Sequence, residues 1–296
     1  MGCFFIFPVS DEEPDLNHHL VVFFHIYDTI LYQRAIMKTD MIKTLKFDME
    51  LERRYQTIWT EMQKISDKNN DLLEQYADDL SPVQNELREN STKLEQLTDD
   101  IWALIPFDEV AFEKYANQMY QNIMTTIVND TTLSNNTINF ANMDNKQRAD
   151  FGTRLFQKLA QRYGEKNHTK LKFEIKDIES GQKSGGYDWK NTISIAPHEA
   201  TDFTNFILIF AHEFSHYVYI KQPQKTPLTV QQINIAKKHY YSPPSISNKK
   251  AFERYKNQPF ELPSYKLMDY FTEHNFIEKL ATAIRTKQNN FSRDTI

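Results

Sequence analysis

The chain has 296 residues and a net charge of −5, from 40 acidic and 35 basic side chains. Hydrophobic residues make up 40% and aromatic residues 13% of the chain, which excludes wholesale disorder. The charge balance predicts no general affinity for nucleic acid or for an anionic membrane. The single cysteine, Cys3, excludes an intrachain disulfide and any cysteine-based zinc ribbon.

Residues 1–32 form an N-terminal apolar segment. The apolar run at residues 4–7 has no basic residues before it and is too short for a signal peptide. Residues 20–31 contain His25 and Asp28 and are too few to span a membrane, so a buried helix or strand is predicted. Without a signal peptide or a transmembrane segment, the predicted location is the cytoplasm, although export by another route stays open.

Residues 33–130 are predicted to be a helical region, because no glycine occurs between Cys3 and Phe151. Apolar residues recur at helical spacing on two successive faces: Tyr55, Ile58, Met62, Ile65, Leu72, Tyr76 and Leu80, then Val83, Leu87, Leu94, Leu97 and Ile101. Ser81 and Gln84 fit a capping box at the start of the second helix. The pattern predicts an antiparallel hairpin that packs on its neighbours, or alternatively a coiled-coil surface for a partner or for self-association.

A third helix is predicted from Asp108 to about Val128, with Phe107 and Phe112 placed as a hydrophobic staple. Residues 129–139 are rich in Thr and Asn and are predicted to be a polar linker. This linker separates the helical region from a second predicted domain over residues 140–296.

The second domain combines helices with a few strands, so the chain as a whole is predicted to be α+β. A helix from about Asp144 to Tyr163 should end at Gly164. Residues 170–177 alternate apolar and polar side chains, which indicates a strand. Residues 180–186 are predicted to be a turn, and residues 187–195 a second strand.

The most informative pattern is His-Glu-Phe-Ser-His at residues 212–216, inside an apolar helix over residues 203–220. A helix that is apolar on all sides is buried, and buried imidazoles are costly unless something such as a metal ion satisfies them. His212 and His216 lie one helical turn apart and can share a Zn²⁺ ion. Glu213 lies about 100° around the helix, where it can act as general base towards a zinc-activated water.

This His-Glu-x-x-His pattern resembles the active-site motif of zincin metallopeptidases, and the resemblance covers residues 144–296. It implies a small zincin-like domain in which a short β-sheet packs on the active-site helix. It also implies an edge strand that pairs with an extended substrate, a position that residues 191–195 match. The Gly and third His of metzincins do not follow His216, so the resemblance is to the gluzincin-like subgroup, which takes a Glu from a later helix as third zinc ligand.

Three glutamates are candidates for that third ligand. Glu261 is favoured because it follows Pro259 at a predicted helix start and has few charged neighbours in the sequence. Glu273, on an apolar helix, is the alternative, whereas Glu253 lies in a basic run. The resemblance also implies a downstream His or Tyr that stabilises the oxyanion. The candidates are His239, Tyr240, Tyr241, Tyr265 and His274.

Together these features predict a zinc-dependent metallopeptidase that hydrolyses peptide bonds in a protein or peptide. In this prediction His212, His216 and Glu261 bind zinc, and Glu213 is the catalytic base. Two alternatives stay open: a non-enzymatic helical interaction protein with a structural or degenerate zinc site, and a zinc hydrolase of non-peptide amides. The basic stretch over residues 221–258 is predicted to be a solvated loop rather than a surface for an acidic substrate or nucleic acid.

Overall fold

The computed structural model describes residues 48–178, 184–241 and 249–293. These residues are mostly helical with one small sheet, which confirms the α+β class. The chain divides into two compact units, Met1–Glu61 and Met62–Ile296. The predicted segment 1–32 lies outside the described residues, and the boundary between 33–130 and 140–296 stays a prediction. No helix in the described part of the chain has the length and apolar character needed to cross a membrane.

The predicted helix hairpin is present. Helix α1 covers residues 48–75, and α2 spans Gln84–Ala103. Within the second unit, the Asn90 side-chain amide donates to Asn69 Oδ1 at 2.7 Å across the two helices. The predicted capping box is wrong, because Ser81–Val83 forms a 3-10 turn with no side-chain cap.

The third helix, α3, spans Glu109–Asn129 and begins as predicted. Asp108 caps it, and the rings of Phe107 and Phe112 lie 5.2 Å apart, as a hydrophobic staple requires. The predicted polar linker after it is wrong, because a short helix, α4, spans Thr131–Ile138. The Asp130 carboxylate accepts from the Leu133 N–H at 3.1 Å and so starts a new helix within a Thr- and Asn-rich sequence.

Helix α5 spans Asn145–Arg162 and begins with a capping box between Asp144 and Gln147. Gly164, at φ +91°, follows its end, which agrees with the predicted stop. Helix α5 packs against the first strand of the sheet.

The sheet has three strands, β1 (Lys172–Ile175), β2 (Gly185–Tyr187) and β3 (Thr192–Ile195), in the order β1-β3-β2. Strand β3 is parallel to β1 and antiparallel to β2. The position predicted for the edge strand, residues 191–195, is therefore wrong, because β3 lies at the centre and β2 at an edge.

The single strand predicted over residues 187–195 is also wrong, because the chain reverses within it. The Asp188 Oδ1 atom accepts from the N–H groups of Lys190, Asn191 and Thr192 at 2.8–2.9 Å. Trp189 adopts a left-handed conformation at φ 63°. One carboxylate thus satisfies three backbone donors and holds a tight turn between β2 and β3.

Helix α6 spans Phe203–Lys221 and is the centre of the second unit. It packs against β2, β3 and helix α9, which spans Leu262–Glu273. Three further helices complete the described fold: α7 (Val230–Lys238), α8 (Lys249–Asn257) and α10 (Phe276–Arg293). Helices α7 and α8 replace much of the loop predicted over residues 221–258.

Candidate metal centre

The central helix α6 carries the His-Glu-x-x-His pattern in a buried position. Asp202 caps the helix by accepting from the Asn205 N–H at 3.0 Å. His212 and His216 are each 6% exposed and Glu213 is 7% exposed. Because the helix has apolar neighbours on all sides, these three polar groups need partners inside the protein.

The start of helix α9 supplies the partner. Glu261 is the N-cap residue of α9 and is only 1% exposed. Its N–H donates to the Gln258 carbonyl at 3.0 Å, within a turn that precedes the helix. Since α9 packs on α6, this turn delivers the Glu261 carboxylate to the two histidines.

The three side chains converge on one point. The Nε2 atom of His212 lies 3.0 Å from Glu261 Oε2, and the Nε2 atom of His216 lies 3.4 Å from Glu261 Oε1. The two Nε2 atoms are 3.2 Å apart. Ligands of a tetrahedral zinc ion, with bonds of about 2.0–2.1 Å, are separated by about 3.4 Å. The buried His212, His216 and Glu261 group could therefore hold a metal ion.

The hydrogen bonding of the carboxylate also fits a metal ligand. The Tyr240 hydroxyl donates to Glu261 Oε1 at 2.6 Å. The other oxygen, Oε2, is buried and, although close to His212, has no partner with hydrogen-bond geometry in the described structure. An orphaned buried carboxylate oxygen is costly, and a cation between it and the imidazoles would satisfy it.

The electrostatics keep Glu261 ionised. Burial alone raises the pKa of its carboxyl group, but the neighbouring imidazoles of His216 and His212 outweigh that effect and hold the pKa well below its usual range. Burial and the Glu261 charge raise the pKa of the Tyr240 hydroxyl, so it stays a hydrogen-bond donor at neutral pH. The carboxylate is thus available as an anionic ligand.

Aromatic rings enclose the histidines. The Phe260 ring stacks on His216 with centroids 5.0 Å apart, and the Tyr265 ring meets His212 edge-on at 4.7 Å. The Trp189 ring, in the turn after β2, stacks on the Phe260 ring with centroids 5.0 Å apart. These ring contacts restrict the orientations of the two imidazoles, whose buried Nδ1 atoms have no hydrogen-bond partner in the described structure.

The edge strand β2 lies directly beside Glu213. A Cβ atom placed on Gly185 would come within 3.1 Å of Glu213 Oε1 and 2.5 Å of Ile209 Cγ2. Only glycine permits so close an approach of this strand to α6. The Glu213 carboxylate therefore lies close to strand β2, at an edge of the described sheet.

The other glutamates proposed from the sequence lie elsewhere. Glu273 is exposed at the far end of α9, a helix of 12 residues, and so is roughly 18 Å along the helix from Glu261. His274 is exposed beside it, and Glu253 is exposed on α8. Among the oxyanion candidates, His239 is buried, and this burial, with the Lys238 charge, lowers its pKa to about 4.

Sequence reasoning missed Gly185, Phe260, Trp189 and Gln258. Gly185 and Gly186 are the sole Gly-Gly pair in the sequence, which is a signal of close backbone approach, whereas the sequence pattern predicts a turn over residues 180–186. Phe260 and Gln258 flank Pro259, next to the favoured ligand Glu261. The signal at these two positions is weak: both residues are uncharged, which is compatible with burial. Trp189 carries no signal of its left-handed conformation.

The candidate centre contains three donors, and no fourth His, Cys, Asp or Glu joins the group within residues 48–178, 184–241 and 249–293. Comparison with known protein families, curated proteins and solved structures finds no match to this chain. What the centre does must therefore be inferred from its own residues.

Proposed function

We propose that this chain is a zinc-dependent metallopeptidase with a zincin-like domain that resembles the gluzincin subgroup. The observation that carries the proposal is the buried His212, His216 and Glu261 group with Glu213 beside it. Two imidazoles and one carboxylate form a donor set of catalytic zinc sites, and three protein ligands leave one position open. When bound there, zinc would lower the pKa of a coordinated water towards about 7 and polarise a substrate carbonyl.

Glu213 is the proposed general base. Its carboxylate follows a zinc ligand in the sequence and faces the sheet edge, so it lies beside the metal position rather than on it. In this role it takes a proton from the attacking water and then delivers it to the leaving amine. Burial at 7% exposure strengthens its interaction with nearby cationic or polar groups.

Tyr265 is the proposed oxyanion donor. Tyr240 commits its hydroxyl proton to Glu261, whereas Tyr265 packs against His212 and is half-buried. Burial, together with the charges of Glu261 and Glu213, raises the pKa of the Tyr265 hydroxyl, so it remains a donor at neutral pH. We expect Tyr265→Phe to lower kcat by about 100-fold with little change in KM or zinc content. An unchanged kcat would exclude this role.

The edge strand β2 is the proposed docking strand for an extended peptide. Its outer side is not paired in the described sheet, and its Gly185 backbone lies against Glu213. A peptide that adds a strand at this edge would bring its backbone amides past the catalytic base. The proposed peptide-binding strand is therefore β2 and not β3, which lies at the centre of the sheet.

Substitutions of the two β2 glycines test this arrangement. We expect Gly185→Ala to lower kcat/KM by about 100-fold, because the new methyl group would displace Glu213 and Ile209, and an error of about 1 Å in position can have that effect. Gly186→Ala is the matched control, since a Cβ there meets no atom within 4 Å. Zinc affinity should not change in either variant. Equal activity of the two variants would contradict the contact between β2 and the base.

The function itself is tested with the full chain and a mixture of internally quenched peptides. The chelated protein should be inactive, and one equivalent of Zn²⁺ should restore cleavage. Mass spectrometry of the products should show hydrolysis at backbone amides. A chain that binds zinc stoichiometrically but cleaves no peptide would instead support the non-enzymatic alternative with a structural site.

A further inference from the structure

A buried glutamine outside the metal ligands makes an unusual pair of contacts. Gln258 is fully buried, and its side-chain Nε2 donates to the Tyr241 carbonyl at 2.9 Å. Its Oε1 accepts from the Tyr241 N–H at 2.9 Å. A carboxamide is the side chain that can satisfy both a backbone donor and a backbone acceptor in this way. It fixes the backbone at Tyr241 in position and in orientation.

The main chain of Gln258 contacts the candidate ligand. Its carbonyl accepts from the N–H groups of Glu261 at 3.0 Å and Leu262 at 2.9 Å, at the start of α9. Gln258 therefore links the turn that carries Glu261 to the segment that carries Tyr240 and Tyr241. In the sequence, helix α8 lies between these two segments.

The fixed backbone determines where the Tyr240 hydroxyl lies. Tyr240 directly precedes Tyr241, and its hydroxyl donates to Glu261 Oε1 at 2.6 Å. The Tyr255 hydroxyl lies 3.2 Å from the Tyr240 oxygen. Because a phenol has one proton, and Tyr240 gives its proton to the carboxylate, Tyr255 is the donor in that second contact.

We propose that Gln258 is a positioning residue of the metal centre, acting through Tyr240 on Glu261. This inference rests on the proposed function only in that a metal ion binds His212, His216 and Glu261. The Tyr240 hydroxyl occupies Oε1, and Oε2 is left directed at His212 with no hydrogen-bond partner in the described residues. Gln258 thereby selects the carboxylate orientation in which one oxygen is free for the metal.

The arrangement predicts a specific loss on substitution. Outer-shell partners of metal ligands typically contribute about 10–100-fold to metal affinity. We expect Gln258→Met, which keeps the length of the side chain, to weaken Zn²⁺ binding by about 10–100-fold. Tyr240→Phe should weaken it similarly. The Co²⁺-substituted protein should show an altered visible d–d spectrum in both variants, because the coordination geometry changes.

A double-mutant cycle separates positioning from general stabilisation. If Gln258 acts through Tyr240, Gln258→Met should cause little further loss of Zn²⁺ affinity in a Tyr240→Phe background. Gln232→Met is the matched control. Gln232 is a buried glutamine in the capping box of α7, so its substitution should lower Tm and leave Zn²⁺ affinity and the Co²⁺ spectrum unchanged.

Zn²⁺ affinity is measured on the purified full chain by competition with a chromophoric chelator. If Gln258→Met does not fold, Gln258→Glu replaces it: an ionised Glu keeps an acceptor for the Tyr241 N–H, cannot donate to the Tyr241 carbonyl, and places a negative charge beside that carbonyl. Wild-type Zn²⁺ affinity in the folded variant, or equal losses in the wild-type and Tyr240→Phe backgrounds, would overturn the inference. A wild-type chain that binds Zn²⁺ without cleaving peptides overturns the proposed function and leaves this inference standing. A wild-type chain that binds no Zn²⁺ overturns both.

Discussion

Glu213→Gln is expected to slow peptide hydrolysis by about 100- to 10,000-fold while zinc stays bound. The amide has nearly the same shape as the carboxylate, so the buried contact with Gly185 of β2 should persist. An amide cannot take a proton from water, and loss of general acid–base catalysis typically lowers the rate by about 100- to 10,000-fold. We therefore expect kcat to fall by that factor with the zinc content of the protein unchanged.

The measurement pairs steady-state kinetics on a cleavable peptide with metal analysis of the same preparation. Glu199→Gln is a suitable control, because it makes the same change at a residue that pairs with Ser184, outside the ligand group. If Glu213→Gln cleaves peptides at the wild-type rate, the proposed mechanism is wrong. If it loses zinc instead, Glu213 supports the metal site rather than the proton transfer.

The second large effect is expected at Glu261. Glu261→Gln should reduce Zn²⁺ affinity by more than about 100-fold, which is the upper end of the range for outer-shell residues. The reason is that an uncharged amide replaces the anionic ligand between two buried imidazoles. The size of the side chain is retained, so the fully buried turn at the start of α9 should still fold.

Glu273→Gln is the matched control for this substitution, since Glu273 lies exposed at the opposite end of the same helix. Zinc titrations of the two variants, followed by competition with a chelator, give a direct comparison. If Glu273→Gln loses Zn²⁺ affinity and Glu261→Gln binds Zn²⁺ as the wild type does, the third ligand is Glu273 and not Glu261. Circular dichroism of both proteins shows whether the helices are retained.

The helices and the motif could be predicted because their signals are local. The spacing of His212 and His216 determines their direction on a helix without knowledge of the fold. The helix starts predicted near Asp108 and Asp144 also depend only on neighbouring residues, and both helices are present. Glu261 could be favoured because a buried ligand is expected to have few charged neighbours in the sequence.

The sheet could not be predicted correctly for an equally physical reason. Residues 187–195 alternate in a way that suits one strand, but the Asp188 carboxylate binds three backbone N–H groups and turns the chain. A turn of this kind replaces the hydrogen bonds that a strand would use, and periodicity cannot reveal it. A side-chain hydrogen bond to the backbone also explains α4. The Asp130 carboxylate accepts from the Leu133 N–H and caps a helix inside a segment with the composition of a linker.

The surroundings of the ligands were beyond prediction because they join distant parts of the chain. The contact between Tyr240 and Glu261 and the contacts between Gln258 and Tyr241 depend on the path of the segment between α7 and α9. Five residues were equal candidates for the oxyanion role in the sequence. Three-dimensional proximity separates Tyr265, next to His212, from His274, which lies at the end of α9.

The candidate ligands are divided between helix α6 and the start of helix α9, and this division determines when the three side chains can meet during folding. The two histidines lie in one helix, but Glu261 follows His216 by 45 residues. Closing a loop of that length in a disordered chain has a length-dependent entropic cost of about 3 kcal/mol. An unfolded chain therefore offers a metal ion only a weak histidine pair, and the third donor arrives when α6 and α9 dock. In small zinc fingers metal binding and folding are one event, whereas here a metal ion would enter a group of side chains that the folded chain has already brought together.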